Sequence, residues 1–391
     1  MKIAYIYQQF TRSAGTERIL IDKMNYFAER SGYEVYAVTT HQGDHPFVFP
    51  ISSYVKRIDL EVRFYDLYRY GRFVRFFKWL GLEKLYSKRL NSILSDVQPD
   101  IVIASTYYSY IVKALANSHI SACKILESHL DKRYIHDNDP MNHQSIYKLL
   151  HARYDMMLLN HYANKYDLMV TLNALDAKDW KQYLKTIIIP NVVHLNPTGH
   201  LCDKSSKSVI FVGRLTEQKG IHDLFNIWEM VFMKHPEWSL DIYGDGELYD
   251  EIICKANQLD MNIHIHVPSN DIFECYCKSA LLVLTSIYEP FGLVIPEAMS
   301  CGLPVVAFDC PSGPANIIND GKDGFLIKNR DLRLFANKVC LLIESLDIRE
   351  KMGEEGCITS QRYSKDHIMP QWESLFKQLI EFKRNENPLF V

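Results

Sequence analysis

The chain of 391 residues has little that would mark a secreted, fibrous or disordered protein. Its nine cysteines are scattered, and none forms a CxxC pair; Cys275 and Cys277 flank a single residue. That pattern speaks against a disulfide framework or a zinc site and for reduced, mostly buried thiols in a cytoplasmic enzyme. No stretch reaches the ~18 consecutive apolar residues of a membrane span. The longest apolar runs, such as Ala280–Leu284 and Val305–Phe308, are strand-sized. The opening Met1–Tyr7 runs straight into Gln8-Gln9, without the apolar core and cleavage site of a signal peptide. There is no basic excess either: 44 Lys and Arg against 47 Asp and Glu leave a net charge of -3, which disfavours a nucleic-acid binder. The first strand–helix turn, Gln8–Gly15, lacks G-x-G-x-x-G, which disfavours a NAD oxidoreductase.

What is present is an ordinary globular composition, 47% hydrophobic and 23% charged, in a chain long enough for two or three domains at ~150 residues each. Short β-rich runs (Lys2–Tyr7, Glu34–Thr39, Asp100–Ala104, Lys124–Leu126, Leu168–Thr171, Ile187–Ile189) alternate with helix-length segments such as Glu17–Arg30. Alternation of this kind predicts parallel sheets covered on both faces. It breaks at His194–Lys207 and restarts with strands at Ser208–Val212, Ser239–Tyr243, Asn262–Val267, Leu281–Thr285 and Pro304–Phe308. The fold class expected is α/β, with two doubly wound Rossmann-like domains facing a cleft. The expected limits are 1–195 for the first domain, 196–207 for a linker, 208–365 for the second domain and 366–391 for a helix returning to the first.

Ligands of such sheets gather at the carboxyl ends of strands, and four clusters of the second domain fall there. Gly213-Arg214-Leu215-Thr216-Glu217-Gln218-Lys219-Gly220 sets two cations on one turn, as a diphosphate needs, although solvated charges on a loop read the same way. Tyr243-Gly244-Asp245-Gly246 permits close ligand approach or is a plain turn. Glu289 and Glu297 bracket Gly292 and Leu293 at a helix start, as acid/base groups, hydroxyl acceptors or simple capping acids. Ser312 and Gly313 offer hydroxyl and amide donors or a turn. Jointly the clusters describe a pocket for a nucleoside diphosphate bearing a sugar.

The order GRLTEQKG, YGDG, EPFGLVIPEAMSCGLPVVAFD, PSGP and DGKDGFLI resembles the nucleotide-sugar domain of family 4 retaining glycosyltransferases, which have the GT-B fold and an E-x7-E motif, here Glu289 to Glu297. The likeness is specific over about Ser208–Ile327 and weaker before it. It implies that Arg214 and Lys219 hold the donor diphosphate, that Glu289 takes hydroxyls of the sugar and that Glu297 takes the ribose. It implies transfer of a hexose from a nucleoside diphosphate sugar, expected to be UDP-linked, to a hydroxyl of a lipid-linked glycan acceptor in surface polysaccharide or lipopolysaccharide assembly. No metal or other cofactor is expected, because Arg214, Lys219 and a helix N-terminus carry the leaving-group charge. Many relatives have Glu where this chain has Asn316. The rival readings are a nucleotide-sugar epimerase or phosphorylase of the same fold, and a sugar-nucleotide-binding protein without catalysis.

In the first domain, the loop Ser13-Ala14-Gly15-Thr16-Glu17-Arg18 resembles the family's loop near the donor phosphate, with Ala14-Gly15 where relatives often have Gly-Gly; a capped helix start is the alternative. Glu127-Ser128-His129 ends a strand. The resemblance gives His129 a contact with the donor sugar near the reacting carbon, against a purely structural role. Asp137-Asn138-Asp139 could bind a metal–nucleotide complex, but Pro140 follows it and no strand precedes it, so a solvated loop is expected. Residues 62–90 are rich in Arg and Lys interleaved with aromatics. Phe73, Phe76, Phe77 and Leu80 share one helical face, with Arg72, Arg75 and Lys78 on the other side. That face either packs on the sheet or docks peripherally on an anionic membrane, which would place the protein at the inner face of the cell membrane; nucleic acid is not expected as a partner.

Overall fold

The structure, a computed structural model, describes residues 1–12, 14–135, 146–269 and 271–385. Asp137-Asn138-Asp139 and Ser13 lie outside them. The chain forms two compact units, Met1–Pro190 with the chain from Met369 onward, and Asn191–Ile368.

The first unit is built on seven strands: β1 (Lys2–Tyr7), β2 (Glu34–Thr39), β3 (Lys56–Asp59), β4 (Ile101–Ser105), β5 (Cys123–Glu127), β6 (Leu168–Thr171) and β7 (Thr186–Ile188). They are all parallel, in the order β3-β2-β1-β4-β5-β6-β7. Strands with nothing but buried side chains, such as Ile-Val-Ile-Ala-Ser in β4, need helices on both faces. Helix Gly15–Ala28 supplies one cover through Leu20, Met24 and Phe27. The later chain adds Trp372 and Phe376, both buried, with Phe376 against Phe27 at 5.1 Å.

Helix Arg72–Val97 departs from the expectation that its aromatic stripe packs on the sheet. It packs inward through Trp79, Tyr86, Leu90 and Leu94. Phe73, Phe76, Phe77 and Leu80 point out and are 78%, 58%, 56% and 45% exposed, so they do not pack on the sheet. Arg75 and Lys78 are not a free solvated face: Arg75 donates to the carbonyls of Leu67, Tyr68 and Tyr70, and Lys78 lies 4.3 Å from the centre of the Tyr70 ring.

The second unit has six parallel strands, β8 (Ser208–Val212), β9 (Ser239–Tyr243), β10 (Ile263–His266), β11 (Leu281–Leu284), β12 (Val305–Phe308) and β13 (Gly324–Ile327), in the order β10-β9-β8-β11-β12-β13. Helices Ile221–Phe232 and Leu332–Glu344 cover one side with Phe225, Trp228, Phe335 and Val339. β9 is different: Leu240 and Ile242 are buried, while Ser239, Asp241 and Tyr243 are only half-buried on the other face. The segment expected as a linker, 196–207, is part of this unit. Asn196 N donates to Ser300 Oγ at 2.9 Å, Cys202 N to Cys301 O at 2.8 Å and Asp203 N to Cys277 O at 2.7 Å. Polar turn residues and hydrogen-bonded docking are compatible, so composition alone misreads it.

Asp176 near the end of the first unit's sheet has a measurable consequence. It is 1% exposed and accepts the Lys132 amide at 2.8 Å, at the start of a helix capped by Asn173. Burial pushes its carboxyl up from 3.8 to about 7. The folded state therefore holds this proton more tightly than the unfolded state, and stability falls as pH rises from about 4 to 7. Denaturant titrations of Asp176→Asn and wild type should show the variant gaining ~2–3 kcal/mol relative to wild type between pH 5 and pH 8. A difference that does not change with pH would mean that the group titrates normally.

Candidate active site

In the second unit the strand order reverses between β8 and β11, and a doubly wound sheet opens its binding crevice at such a point. The loops leaving these two strands carry the predicted cations and carboxylate. Lys219, from the loop after β8, and Glu289, from the loop after β11, form an ion pair with both side chains nearly buried. Ser286 Oγ donates to the same Glu289 oxygen at 3.2 Å. Gly213 lies against the lysine stem: a Cβ built there would be 3.5 Å from Lys219 Cε. Arg214 is exposed, and its Nη2 donates to Gln218 Oε1 at 3.2 Å. The same glutamine donates to Tyr288 O at 3.2 Å, so Gln218 spans both loops.

The glycines act mainly on the loops themselves. A Cβ on Gly220 would lie 2.1 Å from Thr285 O, one on Gly244 2.0 Å from Gly213 O and one on Gly246 2.4 Å from Leu215 O. Gly244 is therefore where one loop meets another, and this close approach by itself requires glycine. Gly313 is alike: its amide donates to Glu289 O at 2.6 Å, and a Cβ there would be 2.5 Å from that oxygen. Ser312, beside it, bridges Glu289 with a φ of 83°. Gly292 adopts a φ of 90°, in the left-handed region glycine favours. Leu293 then caps helix Val294–Ser300, in which Glu297 is buried.

Tyr276 donates its hydroxyl to Glu297 Oε2 at 3.3 Å. Burial first, then Glu297, push its phenol well up, so it stays a donor. Arg330 holds the turn after β11 through Ser286 O at 2.9 Å and Thr285 O at 3.1 Å, and it pairs with Asp223. Gln218 lay inside a recognised motif without a role, whereas Tyr276 and Arg330 belong to none and were missed. Asn316 turns its side-chain amide onto Ser312 O, and Tyr363 Oη donates to Asn316 O at 3.0 Å. Its side chain thus serves the local turn.

The other two predicted positions belong to the first unit. Gly15 opens helix Gly15–Ala28 behind Ala14, whose side chain makes no capping bond. The next turn is tied by Thr16 Oγ1 to Tyr107 Oη at 3.2 Å and by Tyr7 Oη to Glu17 Oε1 at 3.3 Å. His129 follows β5 and is buried, with Nε2 2.9 Å from Glu127 Oε2; Lys23 pairs with that same oxygen. Burial pushes the Glu127 carboxyl up, but Lys23 and His129 outweigh it and hold it at about 2. Burial lowers both His129 and Lys23 against the pull of Glu127. His129 Nδ1 has no partner among the described residues. Lys23, 104 residues from Glu127, carried no sequence signal.

Residues 196–357 match the family described as Glycosyl transferases group 1. An uncharacterized glycosyltransferase of Haemophilus influenzae is 25% identical over 382 residues, 96% of this chain and 99% of that protein. The amylovoran biosynthesis glycosyltransferase AmsD of Erwinia amylovora is 34% identical over 183 residues, 46% of this chain; the match spans only 51% of that relative. Among solved structures, sucrose-phosphate synthase from Thermosynechococcus elongatus superposes with a TM-score of 0.78 at 17% identity, over 97% of this chain and 99% of the other. The chain has the GT-B architecture, and its residues 196–357 are similar to the group 1 glycosyltransferases.

The glycine contacts separate two roles. Gly244→Ala forces backbone apart and should destabilise the second unit by ~2–3 kcal/mol, as for other overpacked sites. Gly213→Ala meets only ordinary contacts and should leave the melting temperature within a degree or two of wild type. Thermal unfolding of both variants checks this; equal losses would show that the loop contact at Gly244 is not what requires glycine.

Proposed function

We propose that the protein is a retaining glycosyltransferase of the family 4 type that moves a hexose from a nucleoside diphosphate sugar, UDP-linked, to a hydroxyl of a lipid-linked glycan in surface polysaccharide or lipopolysaccharide synthesis. The observation that carries this is the Lys219–Glu289 pair across the β8–β11 switch point, with Gly213 backbone beside the lysine. A lysine beside a carboxylate suits a diphosphate and the hydroxyls of its sugar. The polysaccharide assignment draws on the amylovoran relative.

In this reading Lys219 and Arg214 take the charge that develops on the departing diphosphate. The second Glu289 oxygen accepts from sugar hydroxyls, and Glu297, steadied by Tyr276, accepts from the ribose. Transfer proceeds on one face: the anomeric bond to the diphosphate breaks as the acceptor oxygen bonds to the same carbon. The acceptor proton passes to the leaving diphosphate oxygen, so no protein base and no metal are invoked. For His129 we propose a contact with the sugar near the reacting carbon, and for the Gly15 loop one with the phosphates.

The exposed aromatic stripe fits the acceptor. Phe73, Phe76 and Phe77 cluster with one another and leave more than half of their surface exposed, among several Arg and Lys residues. We propose that this face docks on an anionic lipid surface at the inner side of the cell membrane. No helix among the described residues is long and apolar enough to cross a membrane.

Arg214→Ala and Lys219→Ala should each lower turnover by about 10²–10³. Glu289→Gln should cut turnover more than UDP affinity, Glu297→Gln should weaken UDP binding, and His129→Ala should slow turnover with UDP affinity kept. Full turnover in both cation variants, or conversion of UDP-sugar to an epimer without acceptor, would overturn the transferase reading. For the membrane face, co-sedimentation should rise with the anionic lipid content of vesicles, fall with salt, and drop several-fold in a Phe76→Ser, Phe77→Ser double variant. Equal, weak binding to neutral and anionic vesicles at low salt would refute docking.

A further inference from the structure

The open face of β9 and β10 carries a second cluster, unrelated to the diphosphate loops. His264 and His266 are two residues apart on a strand, so both rings leave the same face. β10 pairs with β9 in parallel, with His264 opposite Asp241. His264 Nδ1 is 3.2 Å and His266 Nε2 is 2.9 Å from Asp241 Oδ1, and the three atoms lie within 4.8 Å of one another.

Two features make this a constructed cluster. Asp241 Oδ2 accepts from Ser208 Oγ at 2.6 Å and Ser239 Oγ at 2.9 Å, which leaves Oδ1 aimed at the imidazoles. The Tyr243 ring stacks on His266 with centroids 4.4 Å apart and planes at 14°, fixing that ring. Bonds of ~2.0–2.1 Å to a tetrahedral cation separate its ligand atoms by roughly 3.3 Å, close to the distances found. Outer partners that orient a carboxylate ligand are the usual support of a metal site. His264 is exposed and Asp241 and His266 are half-buried, so an ion can enter from solvent and keep water in its remaining position.

We propose that Asp241, His264 and His266 bind one divalent transition metal of the zinc class. Two imidazoles and one carboxylate suit zinc, nickel or copper and do not suit magnesium, which demands oxygen ligands. The ion crosslinks the edge strand β10 to β9 just before the Tyr243–Gly246 turn; its role is structural. This revises the expectation of a metal-free protein without touching the proposed chemistry, and it does not depend on that chemistry. The sequence offered only a bare His-x-His, with Asp241 distant in the chain.

The test uses the full chain and added zinc. Calorimetric titration should show one site per chain, and His264→Ala or His266→Ala should each weaken it at least tenfold. Asp241→Asn, which keeps hydrogen-bonding capacity but removes the charge, should also weaken it. Because other His and Cys side chains can bind zinc adventitiously, imidazole ¹⁵N spectra should show His264 and His266 shifting with the first equivalent. Saturating zinc should raise the melting temperature of wild type and not of the His264→Ala, His266→Ala double variant. The proposal fails if wild type binds no zinc at millimolar concentration, if the double variant binds like wild type, or if these two imidazoles do not respond.

Discussion

The candidate site depends on backbone approaching backbone. At the carboxyl edge of the second sheet, the loops after β8, β9, β11 and β12 touch one another through carbonyl oxygens and glycine Cα atoms. A single methyl group at Gly220, Gly244, Gly246 or Gly313 would press into a neighbour's carbonyl. Because no side chain separates these loops, they have little freedom to shift. Lys219 and Glu289 are brought together by that packing, and the buried position of their pair then has an energetic meaning. Charges taken from water at such cost persist only when geometry repays it. A diphosphate bound as proposed would meet a cation already in place.

Much of this was legible in the sequence because it is local. Buried parallel strands read as short apolar runs, and eleven of the thirteen had a counterpart in the pattern. The two that did not have clear reasons. β3, Lys-Arg-Ile-Asp, is a charged edge strand with no apolar alternation. β13 follows a run of turn residues, Asp-Gly-Lys-Asp, which masks Gly-Phe-Leu-Ile. The site was legible where its parts were contiguous, as with Lys219 or Glu289. It was not where partners are far apart in the chain. Arg330 reaches the turn at Thr285, and Lys23 reaches Glu127, by tertiary packing that no spacing encodes. Glycine signals a close approach without revealing what approaches, so the loop–loop contacts at Gly244 and Gly313 were not legible.

The two units use the same sheet logic for different ends. In the second, the Lys219–Glu289 pair lies in loops beyond the strand ends, and the polar side chains of β9 and β10 stay on their open face. In the first, a charged group is placed at the strand end itself: Glu127 closes β5 with Lys23 and His129 on one oxygen. Lys23 also lies 4.3 Å from the Trp372 ring centre, so an aromatic face shares in its stabilisation. A carboxylate so held stays ionised far from solvent and fixes which way the histidine ring faces.

That contact with Trp372 bears on how the chain is made. Lys23 and Phe27 leave the ribosome some 350 residues before Trp372 and Phe376, which pack against them. The sheet of the first unit can assemble early, but its face near helix Gly15–Ala28 stays uncovered while the whole second unit is synthesised. The unit begun first is thus finished last. Until Trp372 and Phe376 emerge, the nascent chain leaves open the apolar surface and the lysine that they later cover.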